Sequence, residues 1–189
     1  MTQQARRRRL DPAERRREII FIATQLISTR GYRAVSLNDI ADACGMAKSG
    51  LMHHFPTKES LLVDILAERD REDLEFIAGH FPGPLDRDTC RSHLDKLVER
   101  NFARREIILL YTVLAAESLD LEHPTYGYFN HKAQWTRELF RTAAAGWHPE
   151  PDAVADLVYA FLDGLQSIWL RSPDIDPISL WHKFADAML

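Results

Sequence analysis

Between residues 48 and 58 the chain gathers groups suited to holding a polyanion rather than to breaking bonds: Lys48, Ser49, Gly50, Met52, His53, His54 and Lys58, with Ser36 upstream. Lysine, hydroxyl and imidazole groups donate to phosphate oxygens and base edges, and a glycine lets the backbone approach closely. Signatures of catalysis are missing. No phosphate-binding glycine loop, GxSxG elbow, HExxH or CxxC pair occurs. Of eight histidines only His53 and His54 are adjacent, and neighbours on a helix do not share a face. Cys44 and Cys90 fit no metal spacing and suggest a reducing compartment without structural disulfides. The expectation is no catalytic residue, no metal and no cofactor.

Those groups need a scaffold, and residues 36 to 59, SLNDIADACGMAKSGLMHHFPTKE, supply one. Ser36 caps a first short helix, with Asp39 in the place of the usual Glu or Gln of a capping box. Val35 and Ile40 flank the cap as a hydrophobic staple. Leu37, Ile40, Ala41 and Cys44 recur as one apolar stripe. Gly45 closes that helix in the left-handed conformation. After the turn Gly45-Met46-Ala47 a second helix runs from Lys48 to His54, with Leu51 and Phe55 facing inward. A turn that short makes the helices cross steeply, the helix-turn-helix arrangement that sets a recognition helix in the major groove.

The run Gly45-Met46-Ala47-Lys48-Ser49-Gly50-Leu51-Met52-His53-His54-Phe55, followed by Thr57-Lys58-Glu59-Ser60-Leu61-Leu62, resembles the DNA-binding signature of TetR-family transcriptional regulators. Gly31-Tyr32, Ser36 and Ile40-Ala41 fit the same pattern, and the specific match covers roughly residues 14 to 65. The resemblance implies that Lys48, Ser49, Gly50, Met52 and His53 face the groove while Ser36, His54 and Lys58 meet phosphates. Met52 departs from the family, which usually carries an aromatic residue there, most often Tyr.

Charge separates the chain into two parts. Residues 1 to 58 carry eleven Lys and Arg against five Asp and Glu, a balance of +6, and the remainder carries thirteen against twenty-three, a balance of −10. A polyanion-binding head on an acidic body fits that division. Seven arginines stand in the first seventeen positions, Arg6 to Arg9 and Arg15 to Arg17; read as an arm, Arg6 to Arg9 precede the first helix. The longest strongly apolar run, Ile107 to Ala116, falls short of the ~20 residues that span a bilayer, and no signal-peptide core follows the basic start. The expected location is cytoplasmic, away from the membrane.

The rest reads as helix after helix: about 12–30 with Asp11 as cap, 58 to about 78 with Thr57 as cap, then 87–103, 105–119, 124–145, 151–171 and 177–188. The helix over 151–171 and the last one are apolar on more than one side, which requires cover on both. A buried core explains this; so does a dimer interface, since the family pairs its last two helices into a four-helix bundle. Val154, Leu157, Leu165, Ile168, Trp181 and Phe184 are the interface candidates. Aromatic residues crowd the middle helices, and either core or a ligand pocket accounts for them. The family keeps a pocket there, for which Phe102, Tyr111, Trp135 and Phe161 are candidate walls, with Glu117, Gln134 and Gln166 as polar members.

The expected molecule is all-α with about nine helices: an arginine-rich arm over 1–11, a three-helix helix-turn-helix domain over 12–57, and a ligand-binding and dimerisation domain over 58–189. It is expected to bind double-stranded operator DNA as a homodimer and to repress until a small, largely apolar effector releases it. A ligand-binding or protein-interaction module of the same fold that no longer reads DNA is the rival reading, and an enzyme a distant third.

Overall fold

Reciprocal caps set the register of the N-terminal helices. The computed structural model describes residues 11–189; the arginines at 6 to 9 lie outside the described residues. Helix α1 (Pro12–Arg30) starts from a capping box of Asp11 with Glu14 and stops at Gly31. Helix α2 (Leu37–Ala43) starts at Ser36, whose N–H donates to Asp39 Oδ2 at 2.7 Å while the Asp39 N–H donates to Ser36 Oγ at 3.2 Å. The shorter aspartate therefore completes the box. Gly45 takes φ 59° at the turn, as its missing Cβ permits. Helix α3 (Lys48–His54) follows, and α4 (Lys58–His80) opens on a box between Thr57 and Ser60.

Beyond these lie α5 (Arg87–Phe102), α6 (Arg105–Glu117), α7 (Tyr126–Ala144), α8 (Pro151–Arg171) and α9 (Pro177–Met188). The described residues thus form nine helices and no strand. Helix α6 stops two residues sooner than its apolar period suggests. The link to α7 is a series of turns in which the buried His123 ring pairs with Thr125.

Two cores divide the molecule. The first packs Ile19, Ile27, Val35, Ile40, Leu51 and Phe55 of the head against Leu61, Leu62, Ile65 and Leu66 of α4 and Leu110 and Leu114 of α6. Each such large aliphatic contributes about 1.5–3 kcal/mol when fully buried, so α6 as well as α4 ties the head to the body. The second core joins α5, α7, α8 and α9 around the fully buried Trp181. Helix α8 is long and apolar enough by composition to cross a membrane. Here its Val154, Ala155, Val158 and Leu165 are buried within this second core.

That core corrects part of the expected interface. Val154, Leu165 and Trp181 are buried inside one chain, and Trp181 Nε1 donates to Asp95 Oδ1 at 2.6 Å. Apolar residues cover most of the circumference of α8, so its period alone could not say which side the chain itself fills.

Candidate nucleic-acid interface and ligand cavity

Leu51 and Phe55 anchor α3 inward, which leaves Lys48, Ser49, Met52 and His53 exposed. Gly50 is half-buried, and a Cβ there would lie 3.2 Å from Met46 Cε. The start of α1 flanks this surface: Pro12, Arg15 and Arg16 share a shallow cleft with Met46, Gly50, His53 and His54. Arg16 fixes the helix. Its Nη1 donates to the His54 carbonyl at 2.8 Å, its guanidinium lies 4.2 Å from the centre of the Phe55 ring, and its Nη2 pairs with Asp64 of α4. Sequence inspection placed Arg16 only in a basic run; its partners stand 38 and 48 positions away. Partial burial, then the charges of His53, Arg16 and Arg15, holds the His54 imidazole below its usual pKa. The imidazole is therefore mostly neutral at pH 7 in the free protein.

Two expected phosphate contacts are engaged within the head. The Ser36 hydroxyl donates to the Asp39 carboxylate, so its proton serves its own cap. Lys58 Nζ donates to the Tyr32 and Val35 carbonyls, both at 2.9 Å, and lies 4.1 Å from the centre of the Tyr32 ring. One of its three N–H donors remains.

Tyr32 is a hub between head and body. Its hydroxyl hydrogen-bonds Glu59 at 3.2 Å, and its ring meets the edge of the buried His123 at 5.2 Å. Its backbone N–H donates to Glu117 Oε2 at 2.9 Å. Glu117 was expected to line a pocket and instead stands at this junction, because α6 ends there. Arg33 and Asp120 form an ion pair beside it.

The cavity lies deeper, among α4, α5, α6, α7 and α8, with a volume of about 170 Å³. Tyr111, Trp135 and Gln166 line it. Three other candidates stand elsewhere. Phe102 is buried in the second core against Trp169, Phe161 stacks on Phe184 at 3.9 Å, and Gln134 is on the surface. Helical period put aromatics near the middle of the fold, but the rotation of each helix decides which ring borders the gap. Arg69, Asp73, Lys132, Tyr159 and Asp163 also line it, none of them among the expected walls.

The outer side of α8 and α9 leaves Leu157 (46%), Ile168 (48%), Leu180 (36%) and Met188 (40%) exposed, with Phe161 and Phe184 half-buried between them. Leu157 and Ile168 are thus available for an interface.

Known proteins can now be set beside this geometry. A family profile described as "Bacterial regulatory proteins, tetR family" matches residues 19–65, which span most of the three-helix head and the start of α4. The HTH-type transcriptional repressor KstR2 of Mycolicibacterium smegmatis is 30% identical over 161 residues, 80% of this chain and 75% of that protein. The chain belongs to the TetR family. It is a DNA-binding transcriptional regulator and not an enzyme. KstR2 of Rhodococcus jostii is 48% identical over 52 residues, 28% of this chain and 26% of that one. A TetR-family regulator from Rhodococcus sp. superposes with a TM-score of 0.71 at 24% identity, covering 93% of this chain and 98% of that one. A regulator from Saccharomonospora viridis, solved in complex with choline, superposes with a TM-score of 0.70 at 22% identity over 93% of this chain and 95% of that one. The last two likenesses show the TetR fold alone.

Proposed function

We propose that this regulator is a homodimeric repressor that leaves its operator when a small ligand fills the cavity beside α4. One observation carries the reading. Arg69 and Asp73 of the cavity wall stand on α4, the helix whose first turn clamps the head through Lys58 and Glu59. A ligand that shifts α4 shifts α3 with it. Half-sites on B-DNA have fixed spacing, so splaying two recognition helices breaks simultaneous engagement. A differential affinity of about 1–3 kcal/mol suffices for substantial release.

The dimer is supported by the apolar face of α8 and α9, and an isologous pair presents two copies of α3 to a palindromic operator. Lys48, Ser49, Gly50, Met52 and His53 are the groove-facing set of this reading, with the third Lys58 donor and His54 towards phosphates. Repression is supported by the two KstR2 repressors among the relatives. Residues 12–57 form the reading domain and 58–189 the regulatory one, although the first core crosses that boundary through α4 and α6.

A gel shift with DNA upstream of the gene tests this reading. Binding to one palindromic site at a stoichiometry of two chains, reversed by a ligand that competes for the cavity, is the expected result. Failure to bind any upstream DNA, or binding unaffected by every ligand that fills the cavity, overturns it.

A further inference from the structure

We propose that the cavity ligand is an apolar monocarboxylic acid whose acid group sits at the α4 end of the cavity, against Arg69 and Lys132. The proposal rests on reading this cavity as the effector site and adds the chemistry of the ligand. The charges around that end do not balance. Asp73 is shared by three cations: Arg100 Nη1 at 2.8 Å, Arg69 Nη2 at 3.1 Å and Lys132 Nζ at 3.5 Å. Asp70 accepts from Lys132 at 2.6 Å and from the Tyr128 hydroxyl at 2.8 Å. Glu72 pairs with Arg104 and stands 3.6 Å from Arg69 Nη1. In this network the cations Arg69, Arg100, Arg104 and Lys132 face the carboxylates Asp70, Glu72 and Asp73, an excess of one positive charge.

Arg69 is 8% exposed, and its Nη1 is buried without a hydrogen-bond acceptor. Its Nη2 donates to Asn101 Oδ1 at 3.1 Å and pairs with Asp73, so Nη1 is the donor left over, and a negative charge added beside the guanidinium offsets the excess. The remaining walls are mostly apolar: Ile77, Leu97, Ile108, Leu139, Phe140 and Leu162. Asp163 lies on the α8 wall, exposed to solvent and without an ion-pair partner among the described residues. The apolar walls therefore take the body of the ligand, and its acid group the end held by Arg69 and Lys132. Compact acids fit a cavity of about 170 Å³, smaller than the ~300–1,000 Å³ of drug-sized sites.

A quaternary or primary amine is the opposite alternative, since Tyr111, Trp135 and Tyr159 offer aromatic faces. The Lys132 ammonium already lies 5.5 Å from the centre of the Tyr111 ring, so a cation of the protein's own faces that wall.

Isothermal titration of the full chain with cyclohexylacetate and 3-phenylpropanoate, with their primary amides and with the amines 2-cyclohexylethylamine and 3-phenylpropylamine tests the assignment. The acids are expected to bind about tenfold or more tighter than the amides or amines. Arg69→Met is expected to bring each acid down to the affinity of its amide, and Arg69→Lys to retain part of the difference. Circular dichroism checks that the variants fold. If Arg69→Met does not, the acid–amide pairs on the native chain and Arg69→Lys still decide. Equal affinities for acid and amide, tighter binding of amines, no acid binding at millimolar concentration, or acid binding unaffected by Arg69→Met each overturn the proposal. Operator release is read separately by gel shift. An acid that binds through Arg69 yet leaves the operator bound upholds this assignment and overturns ligand-driven release.

Discussion

Glu117 accepts the Tyr32 backbone N–H at 2.9 Å, joining the last residue of α6 to the second residue beyond α1. Gly31 makes the contact possible. Its φ of 82° and ψ of 154° lie where only glycine is comfortable, and a Cβ there would stand 2.7 Å from Glu117 Oε1. Gly31→Ala is expected to destabilise the chain by about 1–3 kcal/mol from backbone strain, with the clash added to it. Glu117→Ala, which leaves the Tyr32 N–H unpaired, is expected to cost about 1–3 kcal/mol. Urea denaturation measures both, and losses under ~0.5 kcal/mol would mean that the junction is slack.

Lys58 invites a sharper test, because the sequence alone puts it on DNA and the structure turns its ammonium onto two carbonyls. Lys58→Ala is expected to lower the melting temperature and weaken binding to all DNA sequences alike. The dependence of log affinity on log salt is expected to become shallower by roughly one unit, because the third donor faces a phosphate. An unchanged slope would make the ammonium an internal clamp only.

Met52 is 42% exposed on α3, so a larger side chain fits without disturbing the core. Met52→Tyr is expected to leave the melting temperature unchanged and to raise operator affinity, since a phenolic hydroxyl adds a phosphate or base-edge contact that a thioether lacks. Weaker binding by the folded variant in a filter assay would mean that α3 sits on DNA in another pose.

Ile168 and Leu157 are about half exposed in a single chain. A charge at either place costs little in the monomer and opposes burial against a second copy. Ile168→Glu and Leu157→Glu are each expected to yield folded monomers in sedimentation velocity, with operator affinity reduced as paired recognition is lost. A dimer that survives both substitutions would place the interface elsewhere.

Acid should loosen the junction through His123. Its ring is 3% exposed; Nδ1 accepts from the Thr125 N–H at 3.3 Å, and Nε2 has no hydrogen-bond partner. Burial holds its pKa below the ordinary 6.5, against a smaller opposing pull from Glu117. The unfolded chain therefore binds this proton more readily. The stability that this group contributes is fully present above pH 6.5 and is lost as pH falls towards the folded-state value. His123→Asn should flatten that part of the stability–pH curve in thermal melts between pH 7 and pH 5, a range set by the imidazole pKa of about 6.5. An unchanged curve would assign the acid sensitivity to other groups.

Short-range order was legible because its causes are local. The capping pair Ser36 and Asp39, the turn glycine Gly45 and the inward-facing Leu51 and Phe55 lie within twenty positions of one another. Their spacing alone specifies two short crossed helices and an exposed set on α3. The charge division between head and body is likewise a property of composition. What the tertiary structure decided depends on helix rotation and on partners far apart in the chain. Period put apolar residues around most of α8, but only packing buries Val154 and Leu165 and leaves Leu157 and Ile168 outside. Lys58 reads as a phosphate contact until Tyr32 and Val35 are folded beneath it, and Glu117 reads as a pocket residue until α6 brings it to Tyr32, 85 positions away. Arg69 and Asp73 look like an ordinary surface pair one helical turn apart. Burial by α5, α6 and α7 makes them the charged end of a cavity, because a charge removed from water must find its partners in whatever the fold places beside it.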